Sequence, residues 1–166
     1  LSRLTEELEK LSLYVGDRPT ITIEDVEALV GQNRQLSAFD IVDALLKQDT
    51  AEAVRLLERV LEQDRDAEYK IIGLLAWHVR RLRKAQGLLA KGLSEGQICS
   101  QLRVWYRRDE FMRQVGQSTA ESLRLACKRL VEADRAVKTG MASVRNAVEK
   151  FIWSLTTENQ PARSVE

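Results

Sequence analysis

Apolar residues recur at spacings of three and four from one end of this chain to the other, and that recurrence constrains the fold more than any other feature. Leu1, Leu4, Leu8 and Leu11 form one such stripe, Ile71, Leu75, Val79, Leu82 and Leu89 another, and Leu123, Ala126, Leu130, Ala133 and Val137 a third. Each is one face of a helix with 3.6 residues per turn. Alternation at a period of two, the mark of a strand, is confined to a few residues around Thr20 to Thr22. The spacing predicts an all-α fold of about eight or nine helices.

Punctuation divides the stripes. Gly16 ends the first helix and Pro19 delays the next. Thr22 is placed to cap a second helix, with Glu24 and Asp25 in the first turn, where the helix dipole favours negative charge, and Ile23, Val26 and Val30 on its buried side. GQNRQ follows as a polar connector, and Ser37 caps a helix bearing Phe39, Val42, Leu45 and Leu46. Thr50 opens a helix with Val54, Leu57, Val60 and Leu61 inward, and Asp66 caps the long helix that Gly92 stops. Ser94 starts a short helix with Ile98 and Leu102, and Phe111 and Val115 mark another. Ser118 and Glu121 have the spacing of a capping box. Lys138 and Gly140 suit a helix end, and Val144, Val148, Ile152 and Leu155 give the last helix its core face.

Chemistry-bearing motifs are scarce. There is no Gly-rich phosphate loop, and the lone histidine, His78, excludes a histidine-rich metal site. His78 reads as structural or surface, and Asp40 with Asp43, three apart, reads as solvated helix surface. Lys138 to Gly140 spells a motif of penicillin-binding enzymes without the serine motifs that accompany it. Cys99 and Cys127 fall on different helices with no ligand spacing around them, as in a reduced cytoplasmic protein. With 31% charged and 44% hydrophobic residues a core can form, and no run approaches the roughly 18 apolar residues of a membrane span. No cofactor is expected.

Charge is unevenly spread. Residues 1–77 carry 9 basic and 16 acidic side chains, residues 78–113 carry 9 and 3, and residues 114–166 carry 8 and 6. The basic block holds Arg80, Arg81, Arg83, Lys84, Arg103, Arg107 and Arg108 around Trp105 and Tyr106. Arginine interleaved with aromatics suits a phosphate backbone with stacked bases, and it equally suits a protein interface. It also fits the wet face of a helix whose other side bears Val79 and Leu82. The candidate surface for a partner or for DNA is therefore Arg80, Arg81, Arg83, Lys84, Arg103, Trp105, Arg107 and Arg108.

The order of local patterns resembles one family. An acidic helix ends in EKLSLYVG, ITIEDV opens the next at Ile21 to Val26, FDIVDALLKQDTAEAVRLLERVL runs from Phe39 to Leu61, and ADRAVKTG at Ala133 to Gly140 precedes a closing amphipathic helix. The chain resembles the C-terminal part of the delta subunit of bacterial DNA polymerase III, a clamp-loader component. The segment from Leu93 to Gln117 matches that pattern least.

The resemblance implies a division. Residues 1–32 correspond to the end of a small helical lid on an ATPase-like module, residues 37–157 to a helical collar, and residues 158–166 to a polar tail. It implies assembly through the collar with delta-prime and tau or gamma subunits, in loading the sliding clamp onto DNA during replication. It implies contact with the clamp only through an N-terminal domain upstream of this sequence, DNA contact that is indirect or weak, no membrane, and a cytoplasmic place. No catalysis is expected of this segment, although the parent resembles a subunit of a DNA-directed DNA polymerase (nucleotidyltransferase) holoenzyme. Leu1 is not an initiator methionine and the first helix is already under way there, so the sequence is expected to be part of a longer protein. Two rivals stand beside this reading. One is a free-standing helical nucleic-acid-binding domain that uses residues 78–113; the other is the lid of an active ATPase.

Overall fold

A computed structural model describes residues 2–22, 25, 32–63 and 67–158. Among them there are eight helices and no strand: α1 (Ser2–Val15), α2 (Gln32–Leu46), α3 (Thr50–Gln63), α4 (Ala67–Leu89), α5 (Glu95–Gln101), α6 (Arg108–Gln117), α7 (Ala120–Lys138) and α8 (Val144–Glu158). The all-α expectation holds. The chain divides into two compact units, Leu1–Ser37 and Ala38–Glu166.

In the first unit, Leu11 and Val15 are the buried end of the α1 stripe, whereas Leu8, expected on the same face, is half exposed. Gly16 takes the left-handed conformation at the helix end (φ +59°). Thr22 and Asp25 bond reciprocally: the Asp25 N–H donates to Thr22 Oγ1 (3.3 Å) and the Thr22 N–H to Asp25 Oδ2 (2.9 Å). Arg18 adds a 2.7 Å ion pair to the same carboxylate. The Thr22 N–H and the Arg18 guanidinium hold the Asp25 carboxyl below its ordinary range. Ile23, Glu24, Val26 and Val30 lie outside the described residues, as do Asp66 and residues 159–166 of the expected tail.

The second unit is built around α4. Its inward stripe, Ile71, Leu75, Val79, Leu82 and Ala85, is almost wholly buried, and α3, α5, α6, α7 and α8 all pack on it. Leu89, expected on that stripe, is exposed at the helix end. Helices α7 and α8 form an antiparallel pair against α4, closed by Leu123, Ala126, Leu130 and Ala133 from one and Ala147, Val148, Phe151 and Ile152 from the other. Full burial of a Val, Leu, Ile or Phe side chain contributes on the order of 1.5–3 kcal/mol through removal from water, so Leu123, Leu130, Val148, Phe151 and Ile152 make this three-helix contact a large part of the unit's stability. Leu57 and Ala53 seat α3 in the same core.

Two helix starts differ from expectation. α2 already runs from Gln32, so the polar GQNRQ segment is largely helical and Ser37 lies inside the helix rather than at its cap. Glutamine and arginine are good helix formers, and polarity alone does not make a loop. At the start of α7 the capping box is one residue later than expected. Thr119 Oγ1 accepts from the Ser122 N–H and Ser122 Oγ from the Thr119 N–H, both at 3.0 Å. Ser118 instead closes α6, its hydroxyl donating to the Gln114 carbonyl at 2.7 Å. The expected start of α5 is present, with Ser94 and Gln97 as a capping box.

Four helix ends share one geometry. The residue after the cap is left-handed, and its N–H and the next one return to carbonyls of the last turn. At Gly92 and Gly140 this uses glycine. At Gln48 (φ +61°) and Arg103 (φ +53°) it does not, and left-handed backbone on such residues costs about 1–2 kcal/mol each. The Val104 N–H bonds the Cys99 carbonyl (2.8 Å), and the Asp49 N–H bonds the Ala44 carbonyl (2.9 Å), so both turns are fully closed. Asp49 then caps α3 by accepting from the Glu52 N–H at 2.9 Å.

Candidate interaction surface

The basic block spans the second half of α4, α5, the turn at residues 102–107, and α6. Its cations divide into two groups with different jobs. Arg107 and Arg113 point back to α2. Arg107 Nη1 donates to Asp40 Oδ1 (2.7 Å), its Nε bonds Glu110, and its guanidinium lies 4.3 Å over the Phe39 ring. Arg113 donates to Asp43 Oδ1 at 3.0 Å. The expectation that Asp40 and Asp43 form a solvated face is therefore incorrect for Asp43, while the Asp40 side chain stays 38% exposed. Asp43 is only 7% exposed, and both carboxylates are held by arginines about seventy residues away in sequence.

Beneath these pairs runs a buried polar chain. The Gln114 amide donates to the Phe39 carbonyl (3.3 Å) and to Asp43 Oδ1 (3.2 Å), and its Oε1 lies 2.8 Å from His78 Nε2. With both amide hydrogens spent on acceptors, the amide oxygen requires a donor, so His78 is the neutral Nε2–H tautomer. Phe39 and Phe111 meet the His78 ring edge to face, at 5.2 and 6.2 Å. Burial depresses the His78 pKa to about 4, against the opposing bond to Gln114 and with help from the charge of Arg81. Burial alone would raise the Asp43 carboxyl, but bonds from Lys47, Gln114 and Arg113 outweigh it and hold the group below its ordinary value. The structural reading of His78 is correct, and the network joins α2, α4 and α6.

The second group faces outward. Arg81 is half buried and acts as a strap. Its Nη2 donates to the carbonyls of Leu102 and Arg103, each at 2.7 Å, and its guanidinium lies 4.7 Å over the Trp77 ring. These carbonyls are orphans of the α5 end, which explains why a charged side chain sits there. Arg108 Nε donates to the Val104 carbonyl (3.0 Å), and its guanidinium lies 5.5 Å over Trp105. Trp105 and Tyr106 are 52% and 58% exposed. Arg80, Arg83, Lys84 and Arg103 are exposed, with no ion pair to any described residue. Trp77, Arg80, Arg81 and Lys84 fall at spacings of three and four, so they share one face of α4.

Of the eight candidate residues, Arg80, Arg83, Lys84, Arg103, Trp105 and Arg108 are exposed, Arg81 is half buried and bonded to two backbone carbonyls, and Arg107 turns inward. Trp77 lies under the Arg81 guanidinium although its place in the sequence, next to His78, gave no sign of it. Asp40, Asp43 and Gln114 escaped sequence reasoning because their partners lie on another helix. Among the described residues no cluster of three or more histidine, cysteine or acidic side chains could hold a metal ion, and no helix is long and apolar enough to cross a membrane.

Comparison with known proteins places this architecture. The family model for the DNA polymerase III delta subunit, C-terminal domain, matches residues 35–155. DNA polymerase III subunit delta of Bacillus subtilis (strain 168) is 27% identical over 161 residues, covering 96% of this chain and 46% of that protein. The solved structure of the Bacillus subtilis DNA clamp loader delta protein superposes with a TM-score of 0.68 at 27% identity, over 95% of this chain and 46% of that one. The chain thus spans about half the length of the relatives it matches. A family match over most of the helical unit, on an all-α fold shared with a clamp-loader delta protein, shows that this chain belongs to the DNA polymerase III delta subunit family and carries its C-terminal domain.

Proposed function

We propose that the chain is an assembly module of a bacterial clamp loader. Residues 37–157 act as the collar that packs beside the collars of delta-prime and tau or gamma subunits, and residues 1–32 are the end of a lid. In this reading it holds the loader together while the sliding clamp is placed on DNA during replication, and it performs no catalysis itself. Contact with the clamp belongs to an N-terminal domain upstream of this sequence, and the module works in the cytoplasm. The observation that carries the reading is the delta-subunit family match across residues 35–155.

The physical features are consistent with this role. The helical unit has its own core and needs no partner to bury it, while several large side chains, among them Val131, Met141 and Trp105, stay exposed. Exposed aromatic and arginine side chains are what protein interfaces use as anchors. The test is co-elution from a sizing column after mixing the chain with purified delta-prime and tau or gamma subunits. A stable complex is expected. Elution of the chain alone, beside partners that do assemble with a full-length delta subunit, would refute the reading. The rival, a nucleic-acid-binding domain, requires tight binding of single-stranded DNA by the isolated chain, falling steeply with salt.

A further inference from the structure

The ledge formed by Trp77, Arg80, Lys84, Arg103 and Trp105 is more specific than a wet helix face. Its turn is rigid. Arg81 ties the Leu102 and Arg103 carbonyls to α4, Arg108 ties the Val104 carbonyl to α6, and Val104 itself is buried. The geometry also carries a cost. Arg103 and Arg107 both hold left-handed backbone, where glycine would be free of strain. The side chain of Arg107 answers for its position through Asp40, Glu110 and Phe39. That of Arg103 is exposed and bonds no described residue, so its guanidinium is presented outward from a fixed, strained turn.

From this we infer that the ledge docks an acidic segment of a neighbouring protein subunit, whose carboxylates meet Arg80, Lys84 and Arg103 while an apolar side chain covers Trp105. The inference rests on the assembly reading above and assigns a surface and a partner chemistry to it. Charge complementarity carries it: these cations have no carboxylate of their own among the described residues, whereas Arg107 and Arg113 do. Two observations favour a protein over a nucleic acid. Both indoles already have a guanidinium lying over the ring, Arg81 on Trp77 and Arg108 on Trp105, which leaves less ring surface for stacked bases. Those two arginines are also committed to carbonyls and are poorly placed to follow a phosphate backbone.

The experiment compares wild type with two variants, Arg80→Glu/Lys84→Glu/Arg103→Glu and Trp105→Ala, none of which removes a core contact. Three readouts are taken: co-assembly with delta-prime and tau or gamma subunits, tryptophan fluorescence titrated with a synthetic helical peptide of glutamate and leucine, and binding of a single-stranded oligonucleotide across salt. The triple reversal is expected to weaken assembly at least tenfold and to abolish the peptide-induced fluorescence change, with the melting temperature unchanged. Trp105→Ala is expected to weaken assembly without altering its salt dependence. Wild type that assembles, with variants that assemble equally well, overturns the ledge and leaves the assembly reading standing. Wild type that fails to assemble but binds the peptide through these residues overturns the assembly reading and leaves the ledge. Tight oligonucleotide binding lost on reversal, with assembly intact, replaces the protein partner by DNA.

Discussion

Acid should weaken this fold in a window set by one residue. His78 is 2% exposed and neutral, with its pKa lowered from 6.5 to about 4. When the chain unfolds, the ring regains its ordinary basicity. Between those two values the unfolded chain binds a proton that the native state refuses, so the stability contribution is full above pH 6.5 and declines as pH falls towards 4. Linkage puts the loss at about 2 kcal/mol by pH 5 and about 3 kcal/mol by pH 4, levelling off at about 3.4 kcal/mol below pH 3. The lowered carboxyls of Asp43 and Glu52 act later: their contributions are full above the ordinary carboxylate values and are lost as pH falls from those values through the lowered native ones. Urea unfolding followed by tryptophan fluorescence at pH 7, 6, 5 and 4 measures the profile directly. His78→Gln keeps an N–H donor for Gln114 and removes the titration. That variant should be less stable at pH 7 yet nearly flat from pH 7 to 5. A flat wild-type profile over that interval, or equal slopes in the two proteins, would refute the assignment of a neutral, buried imidazole.

Three further outcomes are expected. Leu130→Ala, at a site 1% exposed between α7 and its neighbours, should cost about 2–5 kcal/mol in chemical denaturation. Arg81→Glu should lower stability by roughly 1–3 kcal/mol, because it leaves the Leu102 and Arg103 carbonyls without their donor, whereas Arg80→Glu and Arg83→Glu should stay within about 0.5 kcal/mol of wild type in thermal melts. Calorimetry with ATP and magnesium should show no saturable heat, since the sequence contains no phosphate-cradling loop.

The sequence displayed much of this fold because helices announce themselves through spacing. Leu123, Ala126, Leu130 and Ala133 are all buried where the stripe placed them, and Gly92 and Gly140 stop their helices through glycine's freedom at positive φ. What escaped was whatever depends on a distant partner or on an uncommon residue in a common role. Asp43 looks like any surface aspartate until α6 brings Gln114 and Arg113 to it. Gln48 and Arg103 perform a glycine's task, so nothing in their identity signals a helix end. The basic block was visible as a charge excess, but its split into inward Arg107 and outward Arg80, Lys84 and Arg103 depends on which turns face α2, and a linear pattern does not encode that.

The paired carboxylates of α2 have a consequence for how that helix can seat. Asp40 and Asp43 engage Arg107 and Arg113, whose positions are themselves set by the α6 backbone. Apolar contact tolerates sliding, since one leucine replaces another at little cost. A buried carboxylate does not: moved by one turn, Asp43 would keep Lys47 of its own segment but lose Gln114 and Arg113 together, and losing hydrogen bonds to a charged group costs about 1.5–3 kcal/mol. The two arginines therefore act as a vernier that leaves α2 a single longitudinal setting. Replacing the set with well-packed hydrophobic residues could preserve stability while freeing the helix to occupy several settings, a heterogeneity that would appear as doubled amide resonances for α2 and not as a lower melting temperature.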